Sequence, residues 1–173
     1  MISARIVARP DLTDDELHAL FSSSWDNHQR RPFRAELARS LTYLAAYQDT
    51  KLIGFVNVAW DGGSHAFLLD PTVLPACRRQ GIGSALVRAA AQAAPLQGAG
   101  WLHVDYEPTL EPFHASVGFR PSRAASFSCE AGVRSRRRPQ GRQARRVPQR
   151  CGSGDSDGFS GAGSPCLVSR FRV

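Results

Sequence analysis

Apolar and polar positions along the first part of the chain predict a strand followed by two helices. The alternating run ARIVA, residues 4–8, is typical of a short strand. The stretch DLTDDELHALFSSSW, residues 11–25, has an apolar stripe at helical spacing, and Thr13 with Glu16 forms a capping box at its start. A second short helix is predicted over FRAELARSL, residues 33–41.

The middle of the chain predicts three strands and a long helix. The β-rich runs LTYLAAYQ, KLIGFVNVAW and HAFLLDPTV, residues 41–48, 51–60 and 65–73, are separated by DT and DGGS, which favour hairpin turns. An alanine-rich amphipathic run then predicts a helix that begins near Gly81 and stops before Pro95.

The pattern continues with a strand over WLHVDY, residues 101–106, and a short helix within LEPFHASVGF, which Gly118 closes. The resulting order is β-α-α-β-β-β-α-β-α. It predicts an α+β fold, in which a mixed β-sheet is flanked by helices.

Beyond Pro121 no apolar period of 2 or 3.6 remains, and Gly, Ser, Pro and Arg dominate. We therefore divide the chain into a domain at 1–121 and an Arg/Gly/Ser-rich tail at 122–173, which we expect to be disordered over 134–173, with at most a short strand at 124–128. A GC-rich coding sequence read in the wrong frame gives this composition, so one hypothesis is a shifted reading frame near residues 122–128. A native low-complexity arm is the alternative.

Charge follows the same division. The whole chain carries a formal net charge of +7, but residues 1–121 hold ten Arg and one Lys against twelve Asp and Glu, a net charge of −1. The tail holds the excess of arginine, so nucleic acid is expected only as a nonspecific partner of the tail.

Cysteine spacing and hydropathy exclude other classes. No cysteine pair has C-x-x-C spacing, and we predict no metal site. There is no apolar run long enough to span a bilayer and no signal-peptide core, so we expect a cytoplasmic protein without a membrane partner.

The stretch DPTVLPACRRQGIGSALVRAAAQAA carries the candidate chemistry. A strand, a basic loop with Gly81 and Gly83, and a helix N-terminus together make an anion site, because backbone N–H groups point outward and the helix dipole is positive there. Arg78 and Arg79 add charge and donors. The pattern predicts a phosphate cradle.

Known phosphate motifs fit this loop unequally. A P-loop needs a Gly-Lys-Ser/Thr sequence, and the loop has no lysine. A dinucleotide fingerprint needs a third glycine where Leu86 stands. A glycine-rich turn with incidental arginines is the remaining structural alternative.

A resemblance decides among them. The pattern V-x-P-x-x-R-x-x-G-x-G, matched by Val73, Pro75, Arg78, Gly81 and Gly83, resembles the acyl-CoA motif of the GNAT superfamily of N-acetyltransferases. The preceding hairpin and the following strand and helix also resemble that family, in family order, over about residues 2–121. The family normally adds one or two further strands after the "GF" pair, and here they are missing or degraded.

The resemblance implies how acetyl-CoA would bind. Pantetheine would enter a gap where the strand before the loop splays from the next strand, near Asp70 to Val73, and the pyrophosphate would lie on the N–H groups of Arg79 to Ser84. The predicted cofactor-binding residues are Thr72, Val73, Arg78, Arg79, Gln80, Gly81, Ile82, Gly83 and Ser84.

The sequence offers several candidate catalytic residues. Acetyl transfer needs a neutral amine and a proton for the leaving thiolate. In the family a tyrosine usually supplies this proton, and His114 stands at the matching position here. The alternative interpretation is that His114 is an exposed helix residue without a role. Asp70, Asp105 and His103 are candidate bases. Period-2 alternation would place His103 and Asp105 on one strand face. The alternative interpretation of each residue is a polar side chain at a strand end. Glu107 stands near the position where relatives often carry a cofactor-contacting Asn.

Trp25, His28 and Phe33 lie where members of the family often shape the acceptor pocket, although core packing explains the two aromatic residues almost as well. We expect an enzyme that transfers an acetyl group from acetyl-CoA to a primary amine of a small molecule or a peptide. The alternatives are an acyl-CoA-binding protein of the same fold with impaired catalysis, suggested by His114, and a nucleic-acid binder acting through its arginine tail. A homodimer is a further possible assembly.

Overall fold

A mixed five-stranded sheet organises the computed structural model, which describes residues 4–124. The strands are β1 Arg5–Ala8, β2 Thr42–Gln48, β3 Lys51–Trp60, β4 His65–Val73 and β5 Trp101–His103. The helices are α1 Asp14–Ser22, α2 Arg34–Arg39, α3 Ile82–Leu96 and α4 Glu111–Ser116, and two short 3₁₀ turns lie at Pro75–Cys77 and Pro108–Leu110. The predicted α+β order is confirmed. The hypotheses for residues 125–173 lie outside the described residues.

The strands lie in chain order, β1-β2-β3-β4-β5. The first four are antiparallel neighbours, and β4 pairs with β5 in parallel. A parallel pair needs a long crossover, and α3 supplies it. No helix within residues 4–124 is long and apolar enough to cross a membrane.

Helix α1 starts at the predicted capping box. The Glu16 N–H donates to Thr13 Oγ1 at 3.2 Å, and the Thr13 N–H donates to Glu16 Oε2 at 2.9 Å. Both donors are otherwise unpaired at a helix start, so the box stabilises this end. The buried face of α1 places Leu17, Leu20 and Phe21 in an apolar cluster with Phe55 of β3 on one face of the sheet.

Helix α3 packs on the opposite face of the sheet. Its buried side includes Ile82, Leu86, Val87, Ala90 and Ala94. The helix does not stop before Pro95, as the sequence predicted, but continues through it to Leu96. Proline removes one backbone donor, and the last turn still closes because the Gln97 N–H donates to Ala94 O at 3.2 Å.

Strand β5 is shorter than predicted. It ends at His103, and residues 104–107 form a loop, so His103 and Asp105 do not share a strand face. The reason is the path of β4, which carries a bulge opposite the stretch Phe55 to Asn57 of β3. The pairing of β4 with β5 ends at Phe67, before that bulge, so β5 has no further partner residues on β4.

A glycine in β3 allows α3 to lie close to the sheet. A Cβ on Gly54 would stand 2.9 Å from Leu86 Cδ1 and 3.2 Å from Thr72 O. Both contacts are closer than side chains normally allow, and the second involves backbone. The packing of α3 therefore depends on the missing side chain at this position.

We predict that Gly54→Ala lowers the free energy of unfolding by about 1–3 kcal/mol, because α3 or β4 must shift to admit the methyl group. Urea denaturation of the purified protein measures the change. Gly100→Ala is the control, since its Cβ would meet Ser64 O only at 3.7 Å. Equal stability of the two variants would show that α3 yields without cost.

Candidate functional site

The centre of the candidate site is the place where β4 and β5 separate. Only His65 to Phe67 pair with Trp101 to His103, whereas β4 continues to Val73. Within residues 4–124, no strand pairs with the rest of this edge of β4. The two strands therefore separate, within the described residues, where the resemblance implied a gap.

The bulge in β4 shapes one side of this gap. Asp70 has φ of +52°, in the left-handed region that residues other than glycine seldom occupy. The Thr72 hydroxyl, two residues further along β4, donates to Asp70 O at 3.0 Å, and this hydrogen bond stabilises the bulge. Thr72 and Val73, two predicted cofactor contacts, are buried as whole residues, so neither presents a surface to the gap in this structure.

The loop after β4 leads into an open helix N-terminus. Gly81 caps α3 with φ of +81°, and a Cβ there would have nothing within 4 Å. The first helical donor in this turn is the Ala85 N–H, which bonds Gly81 O at 2.9 Å. The N–H groups of Ile82, Gly83 and Ser84 precede it, and at a helix start such groups are available to an anion.

The basic and polar side chains of the loop differ in their surroundings. Arg78 is half-buried, and its Nε donates to Val73 O at 3.1 Å, which ties the loop to the end of β4. Arg79 is exposed with φ of +63°, so it is the guanidinium of the pair that faces solvent at the helix start. The exposed Gln80 donates back to Ala76 O at 3.4 Å. These residues suit a phosphate group of an acyl-CoA.

His114 is not the exposed histidine that the sequence allowed as an alternative. Its side chain is 0% exposed, and its ring stacks on Tyr106 at a centroid distance of 4.4 Å. Phe113 and Phe119 meet the ring edge-on at 5.1 and 5.6 Å. Burial lowers the pKa of His114 to about 4, so the ring is neutral at pH 7.

The remaining predicted residues are distributed along β5 and the loop after it. His103 shares a 2.8 Å hydrogen bond with His65 across the β4–β5 pair, and Phe67 stacks on it at 5.1 Å. Asp105 and Glu107 are exposed in the loop beyond β5. The structure therefore engages His103 in an aromatic group on the strands rather than in a pair with Asp105.

The loop between α1 and α2 carries an aromatic group. Phe33 is 2% exposed and belongs to the core, and Trp25 packs on Phe21 at 4.8 Å. His28 lies parallel to the Phe33 ring and within 2.7 Å of the buried His18. Burial, followed by the neighbouring positive charges, lowers the pKa of His28. Packing accounts for Trp25 and Phe33, and the His28 ring packs against His18 and Phe21 in the same group.

Three side chains around Asp70 were not singled out from the sequence. Arg31 contacts Glu36 and lies 4.0 Å from Asp70 Oδ2, and Asn57 Nδ2 donates to Glu36 Oε1 at 3.4 Å. They come from a loop, α2 and β3, so no sequence spacing joins them. In residues 4–124, no three His, Cys, Asp or Glu side chains are grouped so that they could hold a metal ion.

The family model described as the acetyltransferase (GNAT) family matches residues 10–119, well over half of the chain. This protein is a member of the GNAT acetyltransferase family. The match covers strands β2 to β5, the bulge in β4, the glycine loop and α4, and it confirms the resemblance found in the sequence.

Two curated relatives cover a smaller part of this GNAT chain. A mycothiol acetyltransferase of Nocardia farcinica is 36% identical over 81 residues, which are 47% of this chain and 26% of that protein. A mycothiol acetyltransferase of Mycolicibacterium vanbaalenii is 38% identical over 74 residues, 42% of this chain and 25% of that protein. The chain thus matches about a quarter of the length of these relatives.

Solved structures share the fold. A GNAT family acetyltransferase from Streptococcus pneumoniae aligns with a TM-score of 0.62 and 22% identity, over 74% of this chain and 100% of that one. The aminoglycoside N-acetyltransferase AAC(6')-Iy in complex with CoA aligns with a TM-score of 0.58 and 21% identity, over 75% and 96% of the two chains. At these identities the likeness concerns the GNAT fold.

The buried ring in α4 gives a pH prediction. A folded-state pKa below the usual 6.5 means that the unfolded chain binds the proton more readily, so the contribution of His114 to stability is complete above pH 6.5 and is lost as the pH falls toward 4. We expect the free energy of unfolding to fall between pH 7 and pH 4.5 by roughly 2 kcal/mol more in the parent than in His114→Phe.

Chemical denaturation at the two pH values measures this difference. His65→Phe is the control and should keep the parent's pH dependence, because His65 is exposed. If His114→Phe keeps the same pH dependence as the parent, another group titrates and His114 is accessible to protons in the folded state.

Proposed function

We propose that this protein is an acetyl-CoA-dependent N-acetyltransferase that acts on a primary amine. The observation that supports it most is that β4, beside the β4–β5 gap, leads through one loop into the open N-terminus of α3, in a chain of the GNAT acetyltransferase family. The pantetheine amides would pair with the part of β4 that has no strand partner within residues 4–124, while the diphosphate would lie on the helix N-terminus. Acetyl-CoA would supply the activated acetyl group.

The residues that would hold the cofactor are those of the loop. The backbone N–H groups from Arg79 to Ser84 would bind the diphosphate, and the exposed Arg79 would add charge. Arg78 would act by fixing the loop to Val73 O. Gly81 lets the chain reach the phosphate, because its space is open and its φ excludes most other residues.

The transfer itself needs two proton movements. The amine nitrogen forms a bond to the acetyl carbon, the carbon–sulfur bond breaks, the amine gives up a proton, and the leaving thiolate takes one up. Asp70, on the bulge beside the gap, would accept the amine proton. Asp105 lies in the exposed loop and remains a weaker candidate base.

His114 would supply the proton for the thiolate, but its neutral ring is a poor acid at pH 7. The same observation favours a second candidate function, an acyl-CoA-binding protein of this fold with impaired catalysis. Measured turnover separates the two.

Small molecules are the favoured acceptors. The structural neighbours include proteins named as aminoglycoside acetyltransferases, which act on small-molecule amines, and the curated relatives are named for mycothiol. These names describe those proteins, and they support a small-molecule amine here over a peptide.

Binding tests the cradle. CoA should raise the melting temperature of the parent, and at a concentration 100 times the Kd it should add about 2.7 kcal/mol. Gly81→Glu should lose this stabilisation, because a carboxylate would stand where the diphosphate binds. Gly98→Glu is a matched control at the other end of α3, with φ of +97° and equally open space. Stabilisation of both variants by CoA would place the cofactor elsewhere.

Turnover tests position 114. If His114 donates the proton, His114→Ala should lower kcat roughly tenfold or more with little change in the Kd for CoA, and His114→Tyr should keep or raise it. Release of free CoA with a panel of amines gives the rates. Identical rates in all three proteins would remove His114 from the chemistry. A parent without turnover that gains it in His114→Tyr would support the impaired enzyme.

A further inference from the structure

A guanidinium lies between two carboxylates beside the bulge in β4. Arg31 Nη1 is ion-paired with Glu36 Oε2, and its Nη2 lies 4.0 Å from Asp70 Oδ2. We propose that Arg31 occupies the place of a second, non-reacting cationic group of the acceptor, so that the acceptor is a diamine or polyamine. This inference rests on the proposed acetyl transfer and specifies its substrate class.

A buried amide marks the cation site. Asn57 is 1% exposed, and its Nδ2 donates to Glu36 Oε1 at 3.4 Å. Its buried Oδ1, on the same amide, accepts no hydrogen bond within the described part of the chain. A buried carbonyl oxygen without a donor costs about 1–3 kcal/mol, and an ammonium group brings three donors. Asn57 therefore holds Glu36 with one end of its amide and has an unpaired oxygen acceptor at the other end.

Arg31 is held loosely enough to be replaced. Its side chain is 48% exposed and belongs to the loop between α1 and α2, and exposed ion pairs contribute about 0–1 kcal/mol. The guanidinium also lies 4.6 Å from the centre of the Phe33 ring. When Arg31 moves away, the face of that ring is left for the carbon chain of the ligand or for the incoming cation.

An open cleft borders Arg31 on the side of α1. It has a volume of ≈ 490 Å³, and Arg31 forms part of its wall. Asp14 and Asp15, at the start of α1, line the same cleft. Asp15 is ion-paired there with Arg30, and Asp14 accepts a hydrogen bond from the Phe33 N–H.

Glu36 and Asp70, the two carboxylates around Arg31, would bind different nitrogens of the acceptor. Glu36 with Asn57 would hold a charged nitrogen, and a carboxylate stabilises the charged form of an amine. The reacting amine must be neutral, so it is the other nitrogen, which lies toward Asp70 and the gap. Because the Arg31 guanidinium alone reaches both carboxylates, a diamine with a short carbon chain between its two nitrogens would also reach both.

The experiment compares two acceptors that differ in one charge, 1,3-diaminopropane and 3-amino-1-propanol. With the full chain and acetyl-CoA, we expect the KM for the diamine to be at least about tenfold below that for the amino alcohol, since a hydrogen-bonded ion contributes at least that factor. Glu36→Gln keeps the side-chain volume and should abolish the difference. Asp11→Asn, at an exposed carboxylate before α1, is the charge-matched control and should retain it.

Removal of the internal cation should have the opposite effect. Arg31→Ala should lower the KM for the diamine about three- to tenfold and leave the KM for the amino alcohol within twofold, because only the diamine competes for Glu36. A KM for the diamine that is unchanged or raised in Arg31→Ala would overturn the assignment of Arg31.

Calorimetric titration of the diamine into the CoA-saturated protein separates this inference from the proposed function. Turnover of both acceptors with equal KM would overturn the diamine class and leave acetyl transfer standing. Binding of the diamine that Glu36→Gln abolishes, without turnover, would support the cation site against the enzyme. Absence of binding to the parent would overturn the cation site.

Discussion

The candidate site depends on a difference in strand pairing between the two edges of β4. One edge pairs with β3 along almost its whole length, while the other pairs with β5 for three residues only. A strand edge inside a protein needs partners for its N–H and C=O groups, and among residues 4–124 no strand pairs with part of one edge. The bulge at Asp70 fixes where that opening lies, and the loop, the helix and the nearby side chains are arranged around it.

The position of α3 joins this opening to the anion site. Gly54 and the small residues Ala90 and Ala94 bring the helix close to the sheet. The short turn after Val73 then leads directly from the end of β4 to Gly81. The end of β4 and a helix N-terminus are thus joined by one loop, and Arg78, which bonds the end of β4, has a supporting part.

Local signals explain what could be predicted from the sequence. Strands β3 and β4 were placed with their observed bounds because alternation and the DGGS turn act between neighbours. The capping box of Thr13 and the helix start at Gly81 are local in the same way. Long-range packing explains the misses. The end of β5 depends on the path of β4, and the burial of His114 depends on rings before and after it in the chain.

The side chains around Asp70 show a further limit. Glu36 has the appearance of an ordinary surface residue of a short helix, and Asn57 interrupts an apolar strand without a local reason. Only the register between β3 and β4, which pairs Asn57 with Leu69, brings the amide next to the bulge. A polar residue inside a buried strand is nevertheless a signal that can be sought in sequences, since its burial requires a partner.

The short parallel ladder between β4 and β5 has a consequence for the order of folding. The β2–β3–β4 meander forms from neighbouring segments, whereas residue 65 meets residue 101 only after the whole of α3 is in place. Such distant pairings form late because closing the intervening loop costs chain entropy. The opening beside β4 is therefore completed after the β2–β3–β4 meander, and the amides of Trp101 to His103 should exchange with solvent sooner than those of β3 in the native protein.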